Sequence, residues 1–245
     1  MRVVALVLVV LAAACARSDD SEDRDARRHQ RVEPTTSAEV ARAARSPRAT
    51  AQKPARRQRE RAAARIRWRD SKALGLPQRG RLVRGVQLPA EGTTFFTWDP
   101  VRRTSPNRGW RRWGTDRLVR VVLKVVRGYA AEHPRAPRVG VGDLSRPRGG
   151  DFGPRFGLPG HVSHQNGLDV DVYYPRLDRR ERAPRGAGDV DRRLAQALVD
   201  LFVEAGADLV FVGPSTGLTG PRRVVQPLAR HDNHLHVRLP GRSAG

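Results

Sequence analysis

The stretch HVSHQNGLDVDVYY, residues 161–174, contains the pattern from which the fold of this chain is predicted. Its second half, GLDVDVYY, alternates polar and apolar side chains with the period of two that is typical of a β-strand. Asp169, Asp171 and Tyr173 therefore share one face of the predicted strand, and the two intervening valines occupy the other. With the valines packed toward a core, the aspartates line the opposite surface.

A second stretch near the C-terminus, HDNHLHVRL at 231–239, repeats this alternation. His234, His236 and Arg238 fall on one face of it, and apolar side chains fall on the other. Five of the chain's seven histidines belong to these two stretches. If the two strands are neighbours in one sheet, their polar faces form a pocket of imidazole and carboxylate groups.

The spacing of His164 and Asp171 predicts a turn as well as a metal site. His164 lies seven positions before Asp171, so in one continuous strand the two would lie on opposite faces. Asn166-Gly167 predicts a turn between them, which lets His164 fold back over the Asp171 face. Two imidazoles and one carboxylate, with one coordination position open, are the ligands expected of a catalytic divalent metal, above all zinc.

Other interpretations of the histidines fit the sequence less well than a zinc site. Non-haem iron oxygenases also use two histidines and a carboxylate, but export to an oxidising compartment favours zinc over ferrous iron. The sequence contains no H-E-x-x-H, which excludes the helical zinc site of thermolysin-type peptidases. A single surface pair of histidines would be incidental, whereas two clusters on strands of matching phase favour a metal site.

The rest of the sequence predicts an α+β domain that covers residues 70–245. Thr115 and Asp116 cap a helix, DRLVRVVLKVVRGYAAEH, and a second amphipathic helix ends at Gly206. Further predictions are strands at 138–144 and 208–213 and a hairpin that joins residues 81–89 to residues 91–98.

The first fifteen residues, MRVVALVLVVLAAAC, are typical of an export signal. One early arginine precedes an apolar run that is too short to span a bilayer, and small residues follow. The run ends at Cys15, the only cysteine, in a pattern that resembles a bacterial lipobox. We expect an exported protein of the periplasm or cell envelope, lipid-anchored at Cys15. The alternative is an ordinary signal peptide, whose cleavage at an A-x-A site would remove Cys15.

Residues 16–69 lack hydrophobic periodicity and are predicted to form a disordered, arginine-rich linker. The chain has a net charge of +22, and residues 24–69 hold fifteen basic against four acidic residues. Behind an export signal, the available polyanions are cell-wall polymers and anionic lipids. The sequence shows no RNA- or DNA-binding motif, so we predict no nucleic-acid partner.

The two histidine stretches resemble those of the penicillin-insensitive murein endopeptidases, which belong with lysostaphin-type, D-alanyl-D-alanine and hedgehog-type domains. The resemblance runs from about residue 75 to 240 and includes GVGDLSRPRGG at 140–150. It implies a small central antiparallel sheet that carries the metal site and is flanked by helices. It also implies that a zinc-activated water hydrolyses the D-alanyl–meso-diaminopimelyl cross-link between peptidoglycan stem peptides.

The resemblance assigns roles residue by residue. The zinc ligands that it implies are His164, Asp171 and His236. His161 would lie beside the metal and is a candidate for a further ligand. A neighbouring imidazole, that of His234 or His231, would stabilise the oxyanion or move the proton.

Four aromatic or acidic positions have weaker predictions. Asp169 would fix the tautomer of a histidine ligand, or would be a surface aspartate that balances nearby arginine. Tyr173 shares the face of Asp171 and is a candidate for substrate binding. Trp110 and Trp113 would hold a glycan or stem-peptide carboxylates, or would anchor their loop to the core, and anchoring is the favoured interpretation.

Two other functions fit the same sequence. One is a D-alanyl-D-alanine carboxypeptidase of related fold, and the other is a non-catalytic peptidoglycan-binding lipoprotein. All positions that match metal ligands are filled, and this favours an enzyme.

Overall fold

The computed structural model describes residue 59 and residues 66–157 and 160–241. Its strands, in chain order, are β1 (Lys72–Leu76), β2 (Arg79–Val83), β3 (Val86–Gln87), β4 (Phe95–Thr97), β5 (Trp113–Gly114), β6 (Val139–Val141), β7 (Asp169–Tyr173), β8 (Leu209–Val212), β9 (Val225–Pro227) and β10 (His234–Arg238). Two α-helices of this part of the chain accompany them, α1 (Asp116–Glu132) and α2 (Arg192–Glu204).

Six strands form a central sheet in the order β4-β6-β7-β10-β8-β9. The inner four pair antiparallel, whereas the edge strands β4 and β9 pair in parallel with β6 and β8. The α+β class and its central antiparallel sheet are therefore confirmed. The parallel edges could not be predicted, because alternation shows which face a side chain occupies and not which strand lies beside it.

The helices and the sheet enclose one hydrophobic core. Val122 of α1 and Leu198 of α2 belong to the same buried cluster as Val172 of β7 and Val237 of β10. Burial of these apolar side chains is the main driving force for the fold. Because side chains alternate along a strand, the acidic and imidazole groups between the valines point away from this core.

The helix boundaries follow from capping residues. The Thr115 hydroxyl accepts a hydrogen bond from the N–H of Leu118, as the predicted cap requires. Asp191 caps α2 by accepting from the N–H of Leu194. Past the end of α2, Gly206 has a φ of +82°, a left-handed conformation that glycine adopts at little cost, which confirms the predicted stop.

The predicted hairpin between residues 81–89 and 91–98 is wrong. Instead β2 pairs with β1, β3 pairs with β5, and β4 joins the central sheet beside β6. Arg84 has a φ of +50°, which interrupts the strand between β2 and β3. Phe95 and Phe96 are buried in the central sheet, and the backward pairing of this segment is a bridge between Phe96 and Glu91 rather than a ladder with residues 81–89.

Several predictions concern residues outside the described part of the chain. They are the signal peptide at 1–15, its lipidation at Cys15, and nearly all of the linker at 16–69. Among the residues that are described, no helix combines the length and the apolar character needed to cross a membrane.

Candidate metal centre

The pairing of β7 with β10 builds the centre of the site. In their antiparallel register His236 lies opposite Asp171, and His234 lies opposite Tyr173. The two strands are neighbours in the sheet, which is the condition under which their polar faces form one pocket. Nδ1 of His236 consequently lies 3.2 Å from Oδ1 of Asp171.

His164 reaches the same face through a turn that precedes β7. Its backbone has a φ of +66°, and its N–H donates to Oδ2 of Asp169 at 2.8 Å. The ring is buried and donates from Nδ1 to the carbonyl oxygen of Leu144. This contact turns Nε2 inward, 3.2 Å from Oδ1 of Asp171 and 3.1 Å from Nδ1 of His236. The turn thus returns His164 to the Asp171 face.

Gly167 allows this turn to form. It has a φ of +79°, and a Cβ atom there would lie 2.8 Å from Cδ1 of Leu82 and 3.2 Å from the backbone nitrogen of Thr115. Its carbonyl oxygen accepts the N–H of Thr115, the N-cap of α1. Glycine alone combines the left-handed conformation with this close approach. The position of His164 is therefore set by contacts with β2 and with the start of α1.

His161 completes the cluster. Its Nδ1 lies 3.7 Å from Oδ2 of Asp171, and its Nε2–H donates to Oδ2 of Asp143 at 2.7 Å. One ligand atom each from His161, His164 and Asp171 lie within 4.8 Å of one another. The structure therefore brings His161 into the cluster together with the three ligands that the resemblance implies.

Sequence reasoning missed two buried charged residues behind His161. Asp143 accepts two hydrogen bonds from the guanidinium group of Arg111, and both side chains are almost completely buried. Burial alone would raise the pKa of Asp143, but the bonds from Arg111 and His161 lower it to about 2. An ionised Asp143 orients the His161 ring, as carboxylates behind metal-binding histidines commonly do.

The sequence offers a signal for Asp143 but none for Arg111. Asp143 ends the apolar stretch RVGVGDL, and an acid at the end of a buried strand could have been singled out. Arg111 offered no such signal, because its partner lies 32 positions further along the chain.

Asp169 is buried beneath the cluster, so the alternative of a surface aspartate is wrong. It accepts the N–H of His164 and, at 2.6 Å, the Nε–H of Arg238. Its Oδ1 also lies 3.4 Å from Nε2 of His236. This places a carboxylate behind the His236 ring, and a role in fixing the tautomer of that ring stays a prediction.

Burial and the nearby carboxylates have opposite effects on the pKa values of the imidazoles. Burial lowers the pKa of His164 and that of His234, the latter to about 4, so both rings are neutral near pH 7. Burial acts on His236 too, but the carboxylates of Asp169 and Asp171 outweigh it and raise the pKa of His236 to about 9. The two carboxylates therefore make the pocket favourable for a positive charge.

His234 and His231 lie at the edge of the cluster. Nδ1 of His234 donates to Oδ1 of Asn233 at 2.6 Å, which leaves Nε2 as the unprotonated nitrogen, 4.0 Å from Asp171. The ring of His231 lies 4.7 Å from that of His234, and its Nδ1 donates to the carbonyl oxygen of Ala229. Neither ring approaches Asp171 as closely as His164 or His236 does.

The aromatic residues divide into two groups. Tyr173 lies beside the cluster, with its ring 6.0 Å from that of His234, and lines an adjoining cavity. Trp110 instead packs against Phe152 and Phe156 at 5.8 Å each, and this contact agrees with the interpretation that it anchors its loop. Trp113 lies in β5.

The donor set fits a zinc ion. His164 and His236 direct one nitrogen each toward Asp171, and His161 directs a third. Imidazole nitrogen with a single carboxylate is the ligand combination of catalytic zinc, whereas calcium and magnesium prefer oxygen ligands alone. On the side away from Asp171, the His164 ring is held by a hydrogen bond to Leu144 and the His161 ring by one to Asp143. Nε2 of His236 is buried 3.4 Å from Asp169 without a hydrogen-bond partner among the described residues.

Two comparisons with known proteins bear on this arrangement. The model of a family described as penicillin-insensitive murein endopeptidase matches residues 73–206, a range that includes His161, His164 and Asp171. A curated relative from Haemophilus influenzae, named penicillin-insensitive murein endopeptidase, is 26% identical over 199 residues. That alignment covers 69% of this chain, and the chain spans 64% of the relative's length.

Proposed function

Because the chain belongs to the penicillin-insensitive murein endopeptidase family, we propose that it is a zinc-dependent endopeptidase of the bacterial cell wall. Its substrate is the D-alanyl–meso-diaminopimelyl cross-link between peptidoglycan stem peptides. The observation that carries the proposal is the convergence of three imidazoles, from His161, His164 and His236, on the carboxylate of Asp171.

The proposed zinc ligands are Nε2 of His164, Nδ1 of His236 and the carboxylate of Asp171, with Nδ1 of His161 as a further ligand. When bound, zinc would act as a Lewis acid that lowers the pKa of a water molecule and polarises the scissile carbonyl group. The chain contributes the orientation of the rings. Leu144 fixes the His164 tautomer, and the Arg111–Asp143 ion pair fixes that of His161.

His234 is the proposed proton-transfer residue. Nδ1–H donates a hydrogen bond to the amide oxygen of Asn233, and burial keeps the ring neutral, so Nε2 is available to accept a proton near pH 7. In the proposed reaction Nε2 accepts the proton of the attacking water and later gives it to the nitrogen of the leaving amine. His231, whose ring lies 4.7 Å from that of His234, is the second candidate for this proton transfer or for stabilising the charge on the carbonyl oxygen.

The proposed nucleophile is water, so no acyl-enzyme forms during the reaction. β-Lactams inhibit peptidases by acylating a nucleophilic serine, and a peptidase that uses water as its nucleophile has no such serine for them to acylate. We therefore expect cleavage to continue at penicillin concentrations that inhibit serine-type peptidases.

The proposed location is the cell envelope, with the protein exported and lipid-anchored through Cys15. The proposed partners are cross-linked stem peptides and the membrane that receives the anchor. The arginine-rich segment between Cys15 and the domain would add attraction to anionic wall polymers and lipids.

The proposal is tested by incubating the zinc-loaded full chain with purified cross-linked muropeptide dimers and identifying the products by mass spectrometry. We expect dimers to become monomers with the wild-type chain and to persist with His164→Ala. Loss of one alanine without dimer cleavage would instead indicate a carboxypeptidase. Unchanged dimers, with a folded and zinc-loaded chain, would indicate a peptidoglycan-binding protein.

A further inference from the structure

A cavity of about 400 Å³ adjoins the candidate metal centre and takes no part in the function proposed so far. We call it the arginine cavity and define it by six of the residues that line it, Trp98, Arg103, Tyr173, Arg182, Arg185 and Asn233. Its residues come from three separate parts of the chain: the loop after β4, the end of β7 with the segment that follows it, and the residue before β10.

The arginine cavity and the histidine cluster share a wall. Tyr173 lies opposite His234 in the strand register, and Asn233 contacts Nδ1 of His234. A molecule whose reacting bond lies at His234 and Asp171 therefore has room for its next chemical group in the arginine cavity.

The charges around the arginine cavity are unevenly compensated. Arg185 forms an ion pair with Asp189 at 2.9 Å, and Arg182 lies 3.5 Å from Asp178. Among the residues that the structure describes, no carboxylate lies within ion-pair distance of Arg103, and no acidic side chain lines the cavity. The cavity therefore has an uncompensated guanidinium group at one side and is suited to an anion.

The loop that carries Arg103 is held in place before any ligand arrives. Buried Asp99 accepts the N–H groups of Val101 and Arg102 through its side chain, and its own N–H donates to the carbonyl oxygen of Thr104. Arg103 sits inside this turn with a φ of +53°, a conformation that few residues other than glycine adopt. The turn thus fixes the direction from which the Arg103 side chain approaches the cavity.

The substrate of the proposed function carries an anion next to its reacting bond. In a D-alanyl–diaminopimelyl cross-link, the carbon that bears the scissile amide nitrogen also bears a free carboxylate, two bonds from that nitrogen. A terminal D-alanyl-D-alanine bond has a carboxylate in the same relation to its nitrogen. A guanidinium group binds a carboxylate through paired, charge-assisted hydrogen bonds, which makes arginine the suited partner.

We propose that the arginine cavity binds the carboxylate next to the scissile amide, with Arg103 as the residue that recognises it. Tyr173 and Trp98 form the walls that position the rest of that residue. The proposal rests on the proposed function for the identity of the substrate. Arg103 is a substrate-binding residue here and takes no part in the proton transfers.

The test compares two substrates and three variants of the full chain. The substrates are a cross-linked muropeptide dimer with the free carboxylate and the same dimer with that carboxylate converted to an amide. The variants are Arg103→Ala, Arg103→Lys and Arg102→Ala. Arg102 is the matched control, because it is an exposed arginine of the same turn that does not line the cavity.

We expect the wild-type chain to have a KM for the acid about tenfold lower than for the amide, with similar kcat values. Arg103→Ala should raise the KM for the acid to that for the amide, Arg103→Lys should restore part of the preference, and Arg102→Ala should match wild type. The proposal would be overturned if the wild type had equal KM values for acid and amide. It would also be overturned if Arg103→Ala raised the KM values for both substrates by the same factor.

A second measurement does not depend on turnover. Calorimetry compares the dissociation constants of two ligands. One is the tripeptide L-alanyl-γ-D-glutamyl-meso-diaminopimelate, and the other is the same tripeptide with the carboxylate beside its free diaminopimelyl amine converted to an amide. If the wild type cleaves neither dimer but binds the acid more tightly, and Arg103→Ala loses that preference, the cavity assignment stands and the proposed peptidase activity fails. Equal binding of acid and amide by a chain that cleaves nothing would overturn both.

Discussion

At the scale of single residues, the histidines of the cluster differ in the groups that their ring nitrogens contact. His164, His236 and His161 each have a ring nitrogen within 3.7 Å of a carboxylate oxygen of Asp171. His234 differs, because its Nδ1 is bonded to an amide oxygen and its Nε2 stands 4.0 Å from Asp171. A ligand and a proton-transfer residue are expected to show this difference.

The first prediction concerns His234→Ala. Loss of a positioned acid–base group typically lowers the rate by about 10²–10⁴-fold, so we expect kcat for dimer cleavage to fall by at least 10². Zinc content should stay near that of the wild type, because the proposed ligands are untouched. Rate measurements and metal analysis on the same samples check this. His164→Ala is the comparison variant, which should lose both dimer cleavage and zinc. Loss of zinc in His234→Ala would show that His234 is a ligand.

The second prediction concerns Asp143 and pH. Its folded pKa of about 2 lies below the ordinary value of 3.8, which corresponds to about 2 kcal/mol of stability when the carboxyl is ionised. Because the folded pKa is depressed, this contribution is present above about pH 4 and is lost as the pH falls toward 2. Asp143→Asn should therefore be less stable than wild type at pH 7, and the difference should shrink near pH 2.

Denaturant unfolding at both pH values measures this difference. Asp151→Asn is the control, because Asp151 is exposed and its ion pair with Arg155 lies in solvent. Such a pair contributes little, so this variant should unfold like the wild type at either pH. An Asp143→Asn deficit that is the same at pH 7 and pH 2 would contradict an ionised Asp143.

At the scale of elements, the turn between His164 and β7 links the site to the rest of the fold. Gly167 contacts Leu82 of β2 and bonds to Thr115 at the start of α1. A change in this turn is therefore expected to affect packing and the position of His164 together.

The third prediction compares Gly167→Ala with Gly217→Ala. Both glycines are left-handed, with φ of +79° and +70°, so alanine costs about 1–2 kcal/mol at either position. A Cβ at Gly217 meets nothing within 4 Å, whereas at Gly167 it lies 2.8 Å from Leu82. We expect overpacking to lower the free energy of unfolding of Gly167→Ala by a further 1–3 kcal/mol or so. Equal losses in thermal or denaturant unfolding would contradict this packing argument.

The strands of the site could be predicted from sequence, and their partners only in part. Alternation of valines with polar residues places Asp171 and His236 on the face away from the core, because burial enforces the period of two. The same argument failed for residues 81–98, where the alternation is real but the strands pair elsewhere. Local pattern determines which face is buried, and long-range packing determines the neighbour.

The site shows the same limit. His161, His164, Asp171 and His236 could be selected because they cluster in two short stretches. Arg111 could not, because its function depends on a contact with a carboxylate in a distant part of the chain. Residues that orient a ligand are recognised by their neighbours in space, and a single sequence does not contain that information.

At the scale of the whole molecule, the fourth prediction concerns the lipid anchor proposed at Cys15. Lipidation adds buried hydrocarbon that holds a protein at a membrane, and serine cannot accept it. We expect the wild-type chain in the membrane fraction of the cells that export it and Cys15→Ser in the soluble exported fraction. Quantitative immunoblots of the two fractions measure this. Equal membrane association of both forms would contradict a lipid anchor, and the arginine-rich segment would then be the source of any attachment.

The central claim is that the cluster around Asp171 is the zinc site of a hydrolase, and it is tested most directly by zinc titration. The full chain is stripped with a chelator, zinc is added back in steps, and bound metal and dimer cleavage are measured on the same samples. We predict no cleavage without zinc and full cleavage at one zinc per chain, with Asp171→Ala neither binding nor cleaving. Full cleavage by the stripped chain, or zinc binding that Asp171→Ala retains, would contradict the assignment.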